Sequence, residues 1–479
     1  MIRRKIRSAA SLLVLASSLT ACAVGPNYER PHTEVAPVFA DAGASLYSSQ
    51  QAQAQFWKQF GDAALDSLVA DALLANEDLR IAVGNLAQAR ALRRQSVYDL
   101  APTVTAAGGH QTQQIPQVEV GFPYSSSYYD TSLDASWELD LFGRVRRELQ
   151  ASTADLQAEE ANLRAVQVSV IAQVARTYFE LRGEQARLEV ARRNVVNQQE
   201  ALRLTRAQLD AGRATELDTS RAQAQLSTTL STIDPLQAEV SGSIHRLGVL
   251  TGREPDALQT LLSAPRDLPP LPRNIAVGDP EELLRRRPDI RVAERQLAAS
   301  SARIGVAIGD LFPKVTFVGS FGFDAATLSG LGTAASRAYT IGPGISWAAF
   351  NLGRVRAQVG AQRAQNYTAL AQYEQTVLRA LEEIEDALVT HARTRDELMH
   401  AADAAQASAT AARLARTRYE EGAVDFLEVL DAERTQLQAE DHLAQSRTDA
   451  VTSLVAVYTA LGGSWEGAPF PRYTQAASR

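Results

Sequence analysis

One phrase of the sequence occurs twice: residues 136–146 read SWELDLFGRVR, and residues 346–356 read SWAAFNLGRVR. The serine, the tryptophan and the GRVR run are identical, and all are displaced by the same distance, as Trp137 and Trp347 show (347 − 137 = 210). Repeats of about 20–50 residues indicate solenoids, whereas so long a period indicates the duplication of half a fold.

The repetition extends through most of the chain. DLRIA at residues 78–82 returns as DIRVA at residues 289–293 (289 − 78 = 211), and DLAP at residues 99–102 returns as DLFP at residues 310–313. The chain is therefore expected to contain two copies of one structural unit, each with the same order of helices and strands.

The repeats predict the organisation of the whole chain. Its segments are a signal peptide (residues 1–21), an N-terminal segment (22–71), a first repeat (72–252), a proline-rich linker (253–282), a second repeat (283–463) and a flexible tail (464–479).

Charge and composition limit the class of protein. The net charge of −7 argues against non-specific nucleic-acid binding, which requires a basic surface. Aromatic residues make up only 6% of the chain, which favours long helices with narrow apolar stripes over a thick globular core.

The N-terminus has the layout of a secretory signal. A basic start, with Arg3 and Arg4, precedes a short apolar run and then LTAC at residues 19–22. This layout resembles the signal of bacterial lipoproteins, in which cleavage before the cysteine leaves it to be acylated. Ala23 after the cysteine is typical of lipoproteins sorted to the outer membrane. Cys22 is the only cysteine, so an intramolecular disulfide is excluded; the alternative is a chance cysteine beside an ordinary cleavage site.

Two long stretches are predicted to be single helices. Residues 143–211 lack proline, and an apolar residue recurs at every seventh position from Leu149 to Val170. At about 1.5 Å per residue such a helix is on the order of 100 Å long, and the seven-residue repeat predicts a left-handed supercoil. Residues 353–421 have the same character.

Shorter helices are expected to return from the ends of the long ones. Gly212 and Gly422 suit the left-handed residue that ends a helix. Residues 216–250 and 424–462 then form the second arms of two helical hairpins, and Pro235 is expected to kink the first of these arms.

Segments of alternating character lie between the helices. Residues 129–139 and 315–324 carry apolar side chains on one face and polar side chains on the other, and residues 103–110 and 339–347 show a weaker form of this pattern. Alternation over about ten residues is typical of transmembrane β-barrels, and the alternative is a half-buried strand of a soluble sandwich. Because four strands cannot close a barrel and lipid does not tolerate open edges, the chain is expected to oligomerise. The predicted lipid-facing residues are Tyr129, Leu133, Trp137, Val315, Phe317, Phe321, Phe323 and Trp347.

Several motifs together resemble the TolC/OprM-type outer-membrane efflux proteins, in their lipoprotein branch. The motifs are CAVGPNYERP (residues 22–31), FWKQFGD (56–62), LLRRRPDIR (283–291) and LFP (311–313). The resemblance covers nearly the whole mature chain. It implies a mainly α fold with membrane β, in which a trimeric, twelve-stranded β-barrel in the outer membrane of a Gram-negative bacterium is continued by a long periplasmic α-helical barrel.

The resemblance also implies a function and partners. The chain is expected to be an exit duct for small toxic compounds, including antibiotics, in a tripartite efflux system. Its expected partners are two further copies of itself, a periplasmic adaptor (membrane fusion) protein, an inner-membrane efflux pump and outer-membrane lipid. The alternatives are a duct for type I protein secretion, a coiled-coil lipoprotein that tethers the envelope without forming a channel, and an envelope enzyme.

By the same resemblance, the hairpin turns carry a gate and a docking surface. Leu427 and Asp431 are four residues apart and share a helix face, so a trimer presents them as a leucine ring and an acidic ring. Their counterparts are Leu217 and Arg221, and Arg221 is expected to pair with an acid across the hairpins. The alternative for Asp431 is a solvated carboxylate near a helix N-terminus. The expected adaptor contacts, for which simple helix capping is the alternative, are Gly212, Arg213, Gly422 and Val424.

The sequence contains no recognisable enzyme site. The six histidines are scattered, and His391 and His400 lie nine residues apart, on opposite faces of a predicted helix, so they cannot bind one ion. No phosphate-binding loop is present. We therefore expect neither a metal nor a cofactor, other than the covalent lipid on Cys22.

Overall fold

A computed structural model of the chain describes residues 23–40, 46–50, 55–115, 124–272 and 274–463. The predicted signal peptide, Cys22 and the predicted tail lie outside the described residues. The chain divides into two compact units, and each draws segments from both sequence repeats. Unit 1 takes its described residues from 1–32, 85–160 and 291–375, and unit 2 from 33–84, 161–290 and 376–479.

Helices dominate the described part of the chain. The α-helices there are α1 (Ala63–Ala75), α2 (Glu77–Tyr98), α3 (Arg144–Asp210), α4 (Glu216–Leu250), α5 (Gln259–Leu262), α6 (Pro280–Arg286), α7 (Pro288–Gly309), α8 (Leu352–Glu420) and α9 (Phe426–Ala460). The strands are β1 (Tyr47–Ser48), β2 (Thr103–Ile115), β3 (Tyr124–Leu139), β4 (Ile275–Ala276), β5 (Lys314–Ala325) and β6 (Arg337–Ser346). Short 3₁₀ helices occupy Phe56–Phe60 and Leu328–Gly330. Within the described residues, no helix is both long enough and apolar enough to span a membrane.

The long helices agree closely with the prediction. Helices α3 and α8 differ from residues 143–211 and 353–421 by one residue at each end, and the return helices α4 and α9 follow them. Helix α4 continues through Pro235 without ending there. The seven-residue apolar spacing and the terminal glycines therefore located these helices well.

Unit 1 contains one four-stranded antiparallel sheet in the order β2-β3-β5-β6. The first repeat contributes β2 and β3, and the second contributes β5 and β6, so the pairing of β3 with β5 joins the two repeats. In this pairing Trp137 lies opposite Phe317, and Leu133 lies opposite Phe321. Phe321 lies opposite Tyr339 of β6, which continues the row of large apolar residues across the sheet.

The register places most of the large apolar side chains of the four strands on one face. Leu133 is 53% exposed, and its neighbours Phe321 and Tyr339 are exposed as well. On the other face Asp134 lies opposite Ser320. Because a slip of one residue exchanges the two faces of a strand, this register is what gives the sheet one apolar and one polar surface.

The strand bounds differ from the prediction in two ways. Strands β2 and β3 are longer than residues 103–110 and 129–139, because their hydrogen-bonded pairing continues to Ile115 and Tyr124. A serine-rich run in β3 lacks the apolar alternation from which strands were predicted, yet its backbone still pairs. Strand β6 ends at Ser346, so the placement of Trp347 within a strand was wrong by one residue.

The doubled phrase of the sequence is a doubled strand-to-helix junction. The indole Nε1 of Trp137 donates to the carbonyl oxygen of Leu100 at 2.9 Å, and that of Trp347 donates to Leu311 at 3.0 Å. Each tryptophan thus ties the end of one strand to the turn before its hairpin partner. The duplication is preserved at the level of single hydrogen bonds.

Small side chains allow α3 and α7 to pack closely in unit 1. Ala154 of α3 and Ala298 and Ala299 of α7 form a buried cluster. Beside it, Arg303 pairs with Asp155 at 2.6 Å, which links the second repeat to the first.

Two buried arginines organise unit 2. Arg182 of α3 donates to the carbonyl oxygens of Leu262 and Ala264 and so holds the start of the linker between the repeats. Arg287, from the RRRPDIR motif, donates to the carbonyl oxygen of Ala460 at 2.8 Å and pairs with a carboxylate of α8. The most specific motif of the sequence therefore serves packing in this unit.

Candidate functional site

The two hairpin turns of unit 2 have the same backbone geometry. Gly212 and Gly422 have φ values of 70° and 78°, which favour glycine. The N–H of Arg213 donates to Gln208 and that of Gly212 to Leu209. The second turn repeats both bonds 210 residues further along the chain, from Ala423 to Arg418 and from Gly422 to Tyr419 (423 − 213 = 210). Each long helix therefore ends in a Schellman motif that satisfies its last carbonyl groups.

The tips of the two hairpins pack against each other through one apolar cluster, which we call the tip cluster. Phe426 and Tyr419 form its aromatic part, with ring centroids 5.5 Å apart. Next to it, Arg416 forms an ion pair with the buried carboxylate of Glu433. Because the tip cluster has members from both hairpins, it holds the two hairpin ends together within one chain. The buried members of the tip cluster are Val195, Leu202, Ala222, Leu226, Tyr419, Phe426 and Val429.

The predicted gate residues lie on the outside of this cluster. Leu217 is 57% exposed and Leu427 is 51% exposed, each in the first turn of its return helix. Asp431 is exposed one turn beyond Leu427 and pairs with Arg434 at 2.7 Å. This local ion pair was not predicted, although a spacing of three residues on a helix makes it readable from the sequence.

Arg221 has a different environment from its counterpart Asp431. It is half-buried, and within the described residues of one chain it has no carboxylate within 4 Å. The predicted ion pair across the hairpins is therefore not an interaction within one chain, and it stays a prediction for an assembly.

Three of the four predicted adaptor contacts are exposed. Gly212, Arg213 and Gly422 lie at the surface of the turns. Val424 instead is half-buried and packs against the tip cluster. Its side chain therefore supports the hairpin ends from within.

The predicted lipid-facing residues share one face of the sheet, but they are not equally exposed. Leu133, Trp137, Phe317 and Phe321 are exposed, as is Trp347 just after β6. The half-buried members are Tyr129, Val315 and Phe323. Tyr129 packs against the ring of His110 from the neighbouring strand in a tilted arrangement, with centroids 4.4 Å apart.

The chain that follows Cys22 is docked onto the strand-to-helix junction of unit 1. The N–H of Val24 donates to Phe142 at 3.0 Å. The guanidinium of Arg147 donates to the carbonyl oxygens of Val24 and Gly25 and to the side chain of Asn27, at 3.0–3.1 Å. Arg147 is only 4% exposed. Cys22 itself lies outside the described residues, but its neighbour is held in a defined place.

Tyr28 provides a second attachment for this segment. Its hydroxyl donates to Glu294 of α7 at 2.9 Å, and the guanidinium of Arg295 lies over its ring. Burial and the Glu294 carboxylate raise the pKa of Tyr28 well above its ordinary value. We call residues 23–28, held by α3 and α7, the docked segment.

The sequence reasoning missed Arg147, and its partners show why. They lie more than 100 residues away in the chain, at Val24 and Gly25, so no local spacing reveals them. One signal was available. The residue that corresponds to Arg147 after the second GRVR run is Ala357, so the two repeats differ at this position.

A cavity in unit 2, of about 840 Å³, is lined by small and polar residues and by the charged residues Arg176, Arg287, Asp289, Glu383, Asp386 and Asp449. Arg287 pairs with both Asp289 and Glu383, and Arg176 pairs with Glu180. In the described part of the chain, no group of three or more histidine, cysteine or carboxylate side chains is arranged to hold a metal ion.

Comparisons with known proteins agree with this architecture. A family model described as "Outer membrane efflux protein" matches residues 68–253 and 280–463, two ranges that lie within four residues of the repeats. The outer membrane protein OprJ of Pseudomonas aeruginosa is 33% identical over 467 residues, which cover 97% of both chains. A probable efflux pump outer membrane protein of Pseudomonas putida, TtgC, is 32% identical over 470 residues and 96% of both chains.

Solved structures show the same fold. The outer-membrane channel OprN has a TM-score of 0.88 at 45% identity, over 93% of this chain and 100% of its own. The open state of the MtrE outer membrane channel of Neisseria gonorrhoeae has a TM-score of 0.80 at 29% identity, over 93% and 99% of the two chains.

The sheet, the paired hairpins and these likenesses define an outer-membrane channel protein. The chain belongs to the outer membrane efflux protein family. The resemblance predicted from the motifs is confirmed, as is the predicted fold class, which the chain shares with solved outer-membrane channels. The predicted function, that of an outer-membrane efflux channel, is also confirmed.

Proposed function

We propose that three copies of this chain form the outer-membrane duct of a tripartite efflux system for small toxic compounds, with no enzymatic step of its own. The sheet carries the proposal. Its outer strands β2 and β6 each have one edge without a strand partner in the described part of the chain, and one of its faces is apolar and exposed. Three such sheets joined edge to edge give twelve strands without an open edge, as lipid requires (3 × 4 = 12).

In this assembly the hairpin tips form the gate. The exposed side chains of Leu217 and Leu427 narrow the mouth, and the Asp431 carboxylates form an acidic ring that favours cations. The exposed turns at Gly212, Arg213 and Gly422 contact a periplasmic adaptor, which connects the duct to an inner-membrane pump. Val424 supports this surface from the tip cluster.

The proposed anchor is a lipid on Cys22. The docked segment holds residue 23 at the strand-to-helix junction, so acyl chains on the adjacent cysteine start beside the sheet. Cys22→Ser is expected to abolish incorporation of labelled palmitate, because the chain has no other cysteine. Labelled palmitate that remains bound to the purified Cys22→Ser chain contradicts the proposed lipid anchor on Cys22.

Single-channel conductance in a planar bilayer tests the duct and its gate. The wild type is expected to open rarely, and Asp431→Ala is expected to open more often or to lose cation preference. Asp403→Ala is the control, because Asp403 is an exposed carboxylate within the long helix α8. Equal conductance in all three proteins contradicts the gate, and the absence of conductance from inserted trimers contradicts the duct.

The adaptor surface is tested by photo-crosslinking in cells. A photoreactive residue at Arg213 is expected to give an adduct with the adaptor. The same residue at Val196, an exposed position within α3, is the control and is expected to give none. Adducts from position 196 but not from position 213 contradict the proposed docking surface.

A further inference from the structure

A pocket of about 610 Å³ lies in unit 1 between the docked segment and helices α2, α3 and α7. Four arginines line it: Arg93, Arg146, Arg147 and Arg295. None of its lining residues is an aspartate or a glutamate. The pocket exists only because the docked segment closes one side of it, through Pro26, Asn27 and Tyr28.

The positive charge of this pocket is only half compensated. Outside its lining, Asp140 pairs with Arg146 at 3.1 Å, and Glu294 pairs with Arg295. Two further carboxylates of unit 1 are engaged elsewhere, since Asp155 pairs with Arg303 and Glu138 with Arg144. Four arginines and two carboxylates leave an excess of two positive charges (4 − 2 = 2).

The two uncompensated arginines are Arg93 and Arg147. Arg93 donates from Nε to the hydroxyl of Thr153 at 3.2 Å, and in the described part of the chain it has no carboxylate within 4 Å. Arg147 donates only to neutral oxygen atoms of the docked segment and of Gln150. Burial and the neighbouring Arg146 lower the pKa of Arg147, so its charged form is held at a cost. An anion in the pocket reduces that cost.

The position of the pocket indicates the source of the anion. Arg146 lies nine residues beyond Trp137, at the end of a strand of the exposed apolar sheet (146 − 137 = 9). The docked segment that forms its wall begins one residue after Cys22. Arginine guanidinium groups match phosphate oxygens, and basic pockets beside membrane segments bind lipid headgroups.

We infer that this pocket binds the phosphate group of an anionic phospholipid from the surrounding leaflet. Arg93 is the direct donor, and Arg146 and Arg295 line the pocket in ion pairs with Asp140 and Glu294. Arg147 adds positive charge and is a positioning residue that holds the docked segment in place. The inference rests on the proposed placement of the sheet in the membrane. The lipid joins α2, α3 and α7 at the level where the strands become helices.

Titration of the full-length protein in detergent tests the site. The probes are dihexanoyl phosphatidylglycerol, dihexanoyl phosphatidylcholine and inorganic phosphate, followed by calorimetry. Phosphatidylglycerol is expected to bind saturably and at least about tenfold more tightly than phosphatidylcholine. Arg93→Gln is expected to weaken phosphatidylglycerol about tenfold, because one charge-assisted bond to phosphate is lost.

The matched control is Arg90→Gln on the same helix. Arg90 is exposed, pairs with Glu160 and does not line the pocket, so its replacement is expected to leave lipid affinity unchanged. Equal binding of the two lipids, or unchanged affinity in Arg93→Gln, overturns the site. Inorganic phosphate that binds as tightly as phosphatidylglycerol overturns the lipid assignment. Conductance of Arg93→Gln in bilayers is measured in parallel, because normal conductance with no lipid preference rejects the pocket and leaves the duct intact.

Discussion

Gly25 and Gly305 meet backbone to backbone in unit 1. A Cβ atom added to Gly25 lies 2.5 Å from the Cα of Gly305, and one added to Gly305 lies 2.8–2.9 Å from the side chain of Arg147. Gly25 also has a φ of 92°, which other residues rarely adopt. The docked segment, a helix of the second repeat and a helix of the first therefore meet at one point without space for a methyl group.

Gly305→Ala is expected to displace the docked segment. The added methyl group overlaps the side chain of Arg147, which holds the docked segment, and overpacking of this kind costs about 1–3 kcal/mol. The expected result is a lower thermal midpoint together with faster cleavage of the folded protein by a glutamate-specific protease after the exposed Glu29.

Gly360→Ala is the matched control for this change. Gly360 also lies within a helix, but nothing lies within 4 Å of its added Cβ. Alanine is expected to be neutral or slightly stabilising there, by up to about 1 kcal/mol, because it reduces backbone freedom in the unfolded chain. Equal sensitivity of the two variants to the protease contradicts the tight contact at Gly305.

Arg147→Ala is expected to release the docked segment more completely. The substitution removes the donors to Val24, Gly25 and Asn27, in three hydrogen bonds that are partly buried. Hydrogen bonds to a charged group contribute about 1.5–3 kcal/mol each, so the free energy of unfolding is expected to fall by about 3 kcal/mol or more. The measurement is again the thermal midpoint and the rate of cleavage after Glu29.

Arg192→Ala is the control for Arg147→Ala. Arg192 lies on the same helix but is exposed, so its loss is expected to change neither the thermal midpoint nor the rate of cleavage after Glu29. If palmitate labelling of Arg147→Ala stays normal while cleavage after Glu29 accelerates, Arg147 acts on docking and not on lipid attachment. A segment that remains protected in Arg147→Ala contradicts the role of this arginine.

The sequence predicted the helices best because their signals are local. The seven-residue spacing and the terminal glycines fixed α3 and α8 to within one residue. The strands were less well bounded, since pairing with a partner strand, and not alternation, decides where β2 and β3 end. Trp347 fell just outside its strand for the same reason.

The candidate site was predicted unevenly, according to how far apart its partners lie in the chain. Leu427 and Asp431 were chosen as gate residues from the family resemblance and their spacing on a helix face, and the structure places both in the first turns of α9. Their role in a gate stays a prediction. The contact of Arg147 with Val24 joins residues 123 positions apart, and no periodicity or spacing encodes it. The buried side of Val424 was also missed, because it depends on the neighbouring hairpin.

The duplicated indole hydrogen bonds give a prediction with an internal comparison. Trp137→Phe and Trp347→Phe each remove one N–H donor to a turn carbonyl while keeping a large apolar ring. Each is expected to lower the free energy of unfolding by about 1 kcal/mol, the usual net worth of such a bond. The thermal midpoints of both variants are compared with that of Phe350→Leu, which alters a fully exposed aromatic residue nearby in sequence. A lower thermal midpoint in only one of the two tryptophan variants contradicts the equivalence of the two strand-to-helix junctions.

His391 makes the stability of unit 2 depend on pH. Burial lowers the pKa of His391 from its ordinary 6.5 to about 4, and the charge of Arg395 acts in the same direction. The neutral ring is fully buried, and its Nδ1 lies 3.0 Å from the hydroxyl of Ser453. As the pH falls below 6.5, the unfolded chain binds a proton that the folded chain does not, so stability is lost progressively down to about pH 4. A difference of this size corresponds to about 3 kcal/mol across that window.

The substitution His391→Gln is expected to reduce the change of the thermal midpoint between pH 7 and pH 4 relative to the wild type. The control is His245→Gln, at an exposed position on α4, which is expected to keep the pH dependence of the wild type. An unchanged slope in His391→Gln assigns the pH dependence to other groups.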